Sequence, residues 1–465
     1  MVEKQHHFLI ISLAAQSHLN PTLQLAKCLA RTGAQVTFAT TVYGFSRIKQ
    51  PPVIGGLSFA SFSDGYDNEE AQKKRNFDRF YHELAHIGPP NVSELIRNLS
   101  QEGRPVTFLI YAILLPWVAQ LGRELDIPTA FFSIQCAAAF AIYRKFFNGH
   151  DGVHYKDQKI GPSVSIELPE LPLFSSRDLP SLLFPSDPFF AFAVPALEEH
   201  VKQLEKESKP CVLVNSFREL EESCFRAAES TSINIIPIGP LVPCAGSDSG
   251  DRSVGLDIFA SPEKDLYLEW LDSKPEKSVV YASFGSMVKL KGEEKIEIVE
   301  GLNESGRSYL LVIRRSDEDA EESAEDGNHG MMCENGMIVP WCSQMEVLCH
   351  KSIGCFVTHC GWNSTLESIV AGVPIVGCPH ISEQNTNAKL IEEVWGNGVR
   401  ANANEEGLVE KMELKRCVDV VMGGEERGEE IRRNAAKWRG LAREAVKETG
   451  SSQQNLKLFL QNLGS

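Results

Sequence analysis

The chain has 465 residues, 43% hydrophobic and 23% charged, the balance of an ordinary globular protein, and one core stops growing at roughly 250–300 residues, so two domains are expected. A net charge of −16 argues against nucleic acid or an anionic membrane as the main partner. The 12 cysteines are scattered with no CxxC pair, as reduced thiols are, and no apolar run nears the ~20 residues of a membrane span, so a cytoplasmic location is expected.

From the N-terminus, FLIISL (8–13) reads as a buried strand and PTLQLAKCLARTG (21–33) as a helix stopped by Gly33. AQVTFAT, a polar helical stretch over 73–100, VTFLIY, the helical WVAQLGREL, PTAFFSI and the helical CAAAFAIYRKFF continue the alternation. This is the pattern of a doubly wound parallel sheet. Residues 150–195, rich in Pro, Ser and Asp, read as loops and short helices, after which CVLVNSF and INIIPIGP resume the strands. PLVPCAGSDSGDRSVG has the turn formers of a linker. The expected division is 1–242, a linker at 243–256, and 257–449, with 450–465 packing back on the first domain. In the second half SVVYASFGS, GEEKIEIVEGLNES and SYLLVIR give strand, helix and strand. Residues 316–335 read as an acidic surface loop, and 404–463 as mostly amphipathic helix.

The most informative segment runs from Trp341 to Gln384. GCFVT, the turn HCGWN, STLESIVAG and VPIVGC form a βαβ unit whose turn sits where a helix N-terminus offers free N–H groups to an anion, so a phosphate-bearing ligand is expected. Ser364-Thr-Leu-Glu367 also reads as a capping box. Cys355 and Cys360 bracket His359 as metal ligands could, but their strand-and-turn context reads better as buried small residues. No G-x-G-x-x-G follows the first strand, which argues against a dinucleotide-binding oxidoreductase.

The same 44 positions resemble the signature box of plant family 1 UDP-glycosyltransferases, through Trp341, Gln344, His359, Trp362, Asn363, Ser364, Glu367, Pro379 and the pair Glu383-Gln384. FASFSDGYD, Y-x-x-L-L-P-W and NTNAKLIEEVW are similar to the crocetin, indole-butyrate and anthocyanin 5-O glucosyltransferases of that family. The resemblance implies a GT-B fold, two Rossmann-like α/β domains facing a cleft, with UDP-sugar held by the second. It implies that Trp341 stacks on uracil, that Cys342 meets the base through its backbone, and that Gln344 belongs to the same donor site. It places Ser364, Asn363 and His359 at the phosphates and Glu367 at the ribose. Trp362, Glu383 and Gln384 fall on the sugar, with glutamine at the last position pointing to glucose. Ser283, Gly285 and Ser286 in SFGS suit close approach of a phosphate. A helix dipole and neutral donors can stabilise a leaving UDP, so neither metal nor cofactor is expected.

On the acceptor side, His18 in AAQSHLNP resembles the family's general base, although a histidine at a helix start also fits the sequence, and Ser17 stands where relatives carry Gly. The family's Y-D-x-x-x-P-W reads here Tyr111-Ala112-Ile113-Leu114-Leu115-Pro116-Trp117, so the aspartate that orients the histidine is absent. Ala112, Trp117 and Gln135 are candidate acceptor contacts, and the alanines at 137, 138, 139 and 141 read as helix packing or extra room. The expected activity is inverting transfer of glucose from UDP-glucose to a carboxylate or phenol of a small lipophilic plant metabolite, by a monomer. A UDP-sugar-binding paralogue of low activity, or a different sugar donor, is the alternative.

Overall fold

The computed structural model describes residues 6–48, 51–73, 77–148, 164–185, 190, 192–229, 231–243, 264–314, 331–332 and 335–463. The linker expected at 243–256, apart from Pro243, and most of the acidic 316–335 segment lie outside these residues. The chain divides into two compact units, Met1–Ile258 with Glu444–Ser465, and Phe259–Arg443.

Runs such as FLII and FLIYA are apolar at every position because both faces of their sheet are covered. In the first unit they give β1 (His7–Ile11), β2 (Gln35–Thr41), β3 (Leu57–Phe62), β4 (Phe108–Ala112) and β5 (Thr129–Ser133). A small hairpin follows, β6 (Ser165–Ile166) with β7 (Phe174–Ser175), then β8 (Cys211–Val214) and β9 (Asn234–Pro237). The seven-stranded sheet has the order β3-β2-β1-β4-β5-β8-β9, with every pair parallel. The order reverses at β1, which pairs with both β2 and β4 and sets Ile11 opposite Tyr111. Ligands of open α/β sheets bind beyond the strand ends at such a switch point. The last helix, Ser451–Asn462, belongs to this unit. Asn455 donates to the Pro237 carbonyl at 2.9 Å, and the Phe459 ring meets Phe108 edge-on at 5.5 Å and Phe8 at 6.4 Å.

The second unit holds β10 (Val279–Ser283), β11 (Ser308–Val312), β12 (Met331–Met332), β13 (Gly336–Val339), β14 (Ile353–Thr358), β15 (Ile375–Gly377) and β16 (Gly398–Arg400). Their order is β12-β13-β11-β10-β14-β15-β16, parallel except for the edge pair β12–β13. Val280, Ala282, Val357 and Val376 meet Leu302, Leu414 and Val418 of the covering helices in one apolar core. The helix Trp362–Ala371 ends at Gly372, whose φ of +74° is the left-handed stop that glycine adopts without a Cβ penalty.

Two elements depart from the sequence reading. LSFASF forms the edge strand β3, and a helix, Ala193–Lys206, follows the loops of 150–195. The first helix begins at Gln16, not Pro21, so His18 lies in its first turn.

Candidate active site

Donor-side candidates from three loops come together at the strand ends of the second unit. Ser283 ends β10; Cys342 and Gln344 follow β13; His359 follows β14. The helix after β14 starts at Trp362 with Gly361 as its cap and no side-chain cap. Ser364 is therefore inside the first turn, and the S-x-x-E box expected there does not form. The Gln344 amide makes the connection instead, donating to Ser364 Oγ at 2.9 Å and to Glu367 Oε2 at 2.6 Å. The first-turn N–H groups of this ten-residue helix, apart from that of Trp362, provide the positive end of its dipole for an anion.

His359 is buried, with Nδ1 3.2 Å from Thr358 Oγ1. Burial, reinforced by His380 and Arg314, lowers its pKa to about 3, so it is neutral at pH 7. Two glycines crowd it: a Cβ at Gly285 would lie 2.5 Å from its Nε2, and one at Gly361 2.6 Å. Gly285 also has a φ of +73°, so two independent constraints exclude a side chain there. Arg314, a cation that the sequence reading passed over, donates to the Gly285 carbonyl at 3.3 Å. Its position at the end of SYLLVIR was the available signal.

Glu383 and Gln384 are also near this turn. Glu383 Oε1 accepts from the Trp362 backbone N–H at 3.3 Å, and Gln384 Oε1 accepts from the N–H groups of His380 and Ile381 at 2.8 and 2.9 Å. Trp362 departs from expectation in one respect: its indole is 2% exposed and packs against Trp395 at 6.0 Å, so this residue meets the turn through its backbone. Trp341, Asn363 and Ser286 are half-buried at the loop and helix start where the sequence put them. Among the described residues no group of three or more His, Cys, Asp or Glu side chains is placed to hold a metal ion.

The acceptor-side candidates lie in the first unit. Thr22 holds the first helical turn, donating to the His18 carbonyl at 2.6 Å, with Ser12 Oγ 3.0 Å from the same hydroxyl. The His18 ring is half-buried, its Nδ1 is buried without a hydrogen-bond partner among the described residues, and burial lowers its pKa to about 4. Ala112, which ends β4 beside β1, is buried and offers nothing to that nitrogen. Trp117 packs edge-on against Phe62 at 6.4 Å and covers Gly88, which makes it a core residue. Gln135 lines a small cavity with Ile113, Ser133, Tyr143 and His200. Ala137 and Ala138 are buried helix-packing residues whose N–H groups donate to the Glu221 carboxylate, each at 3.0 Å.

His200 was not expected. Its Nε2 accepts from the Leu114 N–H at 2.8 Å, holding a residue whose φ is +71°. The ring lies parallel to Tyr111 at 6.0 Å, and burial lowers its pKa to about 3. The spacing Ala193, Ala196, Leu197, His200, Val201, Leu204 of its buried face was a legible helical signal.

Residues 255–435 match the family described as UDP-glucoronosyl and UDP-glucosyl transferase. A crocetin glucosyltransferase of Gardenia jasminoides, named as chloroplastic, is 47% identical, the match covering 99% of this chain and 98% of that protein. An anthocyanidin 3-O-glucoside 5-O-glucosyltransferase of Perilla frutescens is 42% identical, with 97% of each chain covered. The crystal structure of Os79 from O. sativa in complex with UDP superposes with a TM-score of 0.81 at 32% identity, covering 98% of this chain and 100% of that one. The two α/β units are accordingly those of the GT-B fold. The Gardenia relative also corrects the cytoplasmic expectation: its name assigns it to the chloroplast, and the lack of a long apolar helix among the described residues does not select a compartment.

Proposed function

This chain belongs to the UDP-glucoronosyl and UDP-glucosyl transferase family and is a UDP-glycosyltransferase, and from that premise we propose that it moves glucose from UDP-glucose to a carboxylate or phenolic hydroxyl of a small lipophilic plant metabolite. The acceptor oxygen bonds to the anomeric carbon as the bond from that carbon to the diphosphate breaks, in one inverting displacement; a carboxylate attacks already ionised, and a phenol gives its proton to His18. The helix tip at Ser364, with Ser283, Ser286 and neutral His359, takes up the charge of the leaving UDP. No metal takes part, and excess EDTA is expected to leave the rate unchanged.

The observation supporting this acceptor class is the state of His18. Its Nδ1, which has no partner among the described residues, and its pKa of about 4 make it a weak base whose imidazolium no described carboxylate stabilises. A carboxylic acid of pKa about 4 is already ionised at neutral pH, whereas a phenol near 10 needs help and an aliphatic alcohol needs more. Carboxylates are thus the acceptors best suited to this site, with acidic phenols next. Glucosylation of a series of acceptors of graded acidity tests the reading. Turnover should rise as acceptor pKa falls, and fastest transfer to an unactivated aliphatic alcohol would overturn it.

A further inference from the structure

Tyr281 lies in the middle of β10, an interior strand, where its ring is 1% exposed. The ring stacks on Phe356 of β14, with centroids 4.8 Å apart and planes 12° off parallel. Packing alone would be served equally by phenylalanine, and a buried hydroxyl is costly unless satisfied. Here it is satisfied by the donor-side residues themselves. The phenol donates to Gln344 Oε1 at 3.3 Å and lies 3.3 Å from Cys342 Sγ. A phenol has one proton and two lone-pair sites. Donating to Gln344 uses the proton, and the Cys342 sulfur lies within hydrogen-bonding distance of the same oxygen.

We infer that Tyr281 is a positioning residue for the nucleotide donor, fixing Cys342 and Gln344 in one frame beneath the site. This inference rests on the reading that these residues hold UDP. The Gln344 amide transmits the effect. Its oxygen is anchored on the phenol, which orients its nitrogen towards Ser364 and Glu367 on the next helix. One buried hydroxyl on β10 thus links the loop after β13 to the helix after β14. Burial keeps the phenol protonated well beyond neutral pH, so it remains a donor under all working conditions.

The test is Tyr281→Phe, which preserves the stack on Phe356 and removes only the oxygen. UDP affinity by calorimetry and the KM for UDP-glucose should weaken about 5-fold, the scale of one net hydrogen bond, while the acceptor KM changes less than about 2-fold. A purely structural role would lower the melting temperature yet leave the UDP affinity of the folded protein intact, and that result overturns the inference. Gln344→Ala gives a second measurement. If the phenol works through Gln344, adding Tyr281→Phe to Gln344→Ala should cost less than about 2-fold more in UDP affinity; full additivity would refute the linkage. Wild-type protein that failed to bind UDP would instead sink the family reading of the site, so the two failures are distinguishable.

Discussion

Ala112→Asp returns a carboxylate to the end of β4, the strand beside the one that leads into the His18 helix. His18 starts from a pKa of about 4, set by burial. An opposite charge within hydrogen-bonding reach moves a pKa by about 1–3 units, so the variant's imidazole should titrate between about 5 and 7. With a Brønsted slope of about one half, a base stronger by 1–3 units transfers a proton ~3–30-fold faster. The gain belongs to acceptors that need a base, so a phenol of pKa about 10 should benefit and a carboxylate should not. The pH dependence carries a second signature. The base works only when neutral, so its rate falls as pH drops through the His18 pKa. Wild type should therefore keep its phenol activity down to about pH 4, and the variant should lose activity below about pH 5–7. The assay is kcat/KM against pH for one phenol and one carboxylate acceptor, on both proteins. An acid limb near pH 6.5 in wild type, or equal acceleration of both acceptors in the variant, refutes the reasoning. A large fall in melting temperature would show that the new carboxylate is buried without finding the imidazole.

Other outcomes follow from the same geometry. Gly285→Ala places a Cβ 2.5 Å from His359 Nε2 at a φ of +73°; UDP binding should weaken at least ~10-fold with a loss of about 1–3 kcal/mol in stability, and wild-type values for both would show that the crowding is unimportant. Arg314→Ala removes the cation at the Gly285 carbonyl; affinity for UDP should fall ~3–10-fold, uridine affinity should not change, and the difference should shrink in high salt. An equal loss for both ligands would contradict a charge effect. His200 and His359 both have pKa values of about 3 when folded. The unfolded chain gains these protons as pH falls through about 6.5 and the folded chain does not, so their stabilisation is complete above pH 6.5 and erodes towards pH 3, by up to about 1.4 kcal/mol per group per pH unit. His200→Gln can still accept from Leu114, and denaturant titrations between pH 6 and 5 should show a slope reduced by close to one proton; an unchanged slope would mean that His200 is not neutral in the fold.

Much of this arrangement is legible in the sequence because parallel strands buried on both faces announce themselves as continuous apolar runs, and because the turn residues between Trp341 and Gln384 sit at fixed spacings. What escaped has physical reasons. LSFASF is a partly exposed edge strand with small residues and weak alternation. The Ala193–Lys206 helix has Pro195 in its first turn, next to a loop-rich stretch. The capping box at Ser364 failed because Gly361 began the helix earlier, and a periodic pattern does not fix its own first residue. Trp362 and Trp117 show that an indole packed in a core and an indole facing a ligand have the same letter. Tyr281 was hidden for the opposite reason, as one hydroxyl inside an apolar run.

The unit that begins at the N-terminus is completed by the helix Ser451–Asn462 and the Phe459 ring set against Phe8 and Phe108. On the ribosome, the strands around Phe8 must therefore wait while the entire 259–443 segment is translated, on the order of ten seconds or more at typical elongation rates. During that interval an apolar patch is uncovered and open to chaperones. Loss of the 451–462 helix would accordingly uncover rings translated more than 300 residues before it, in the unit that carries His18.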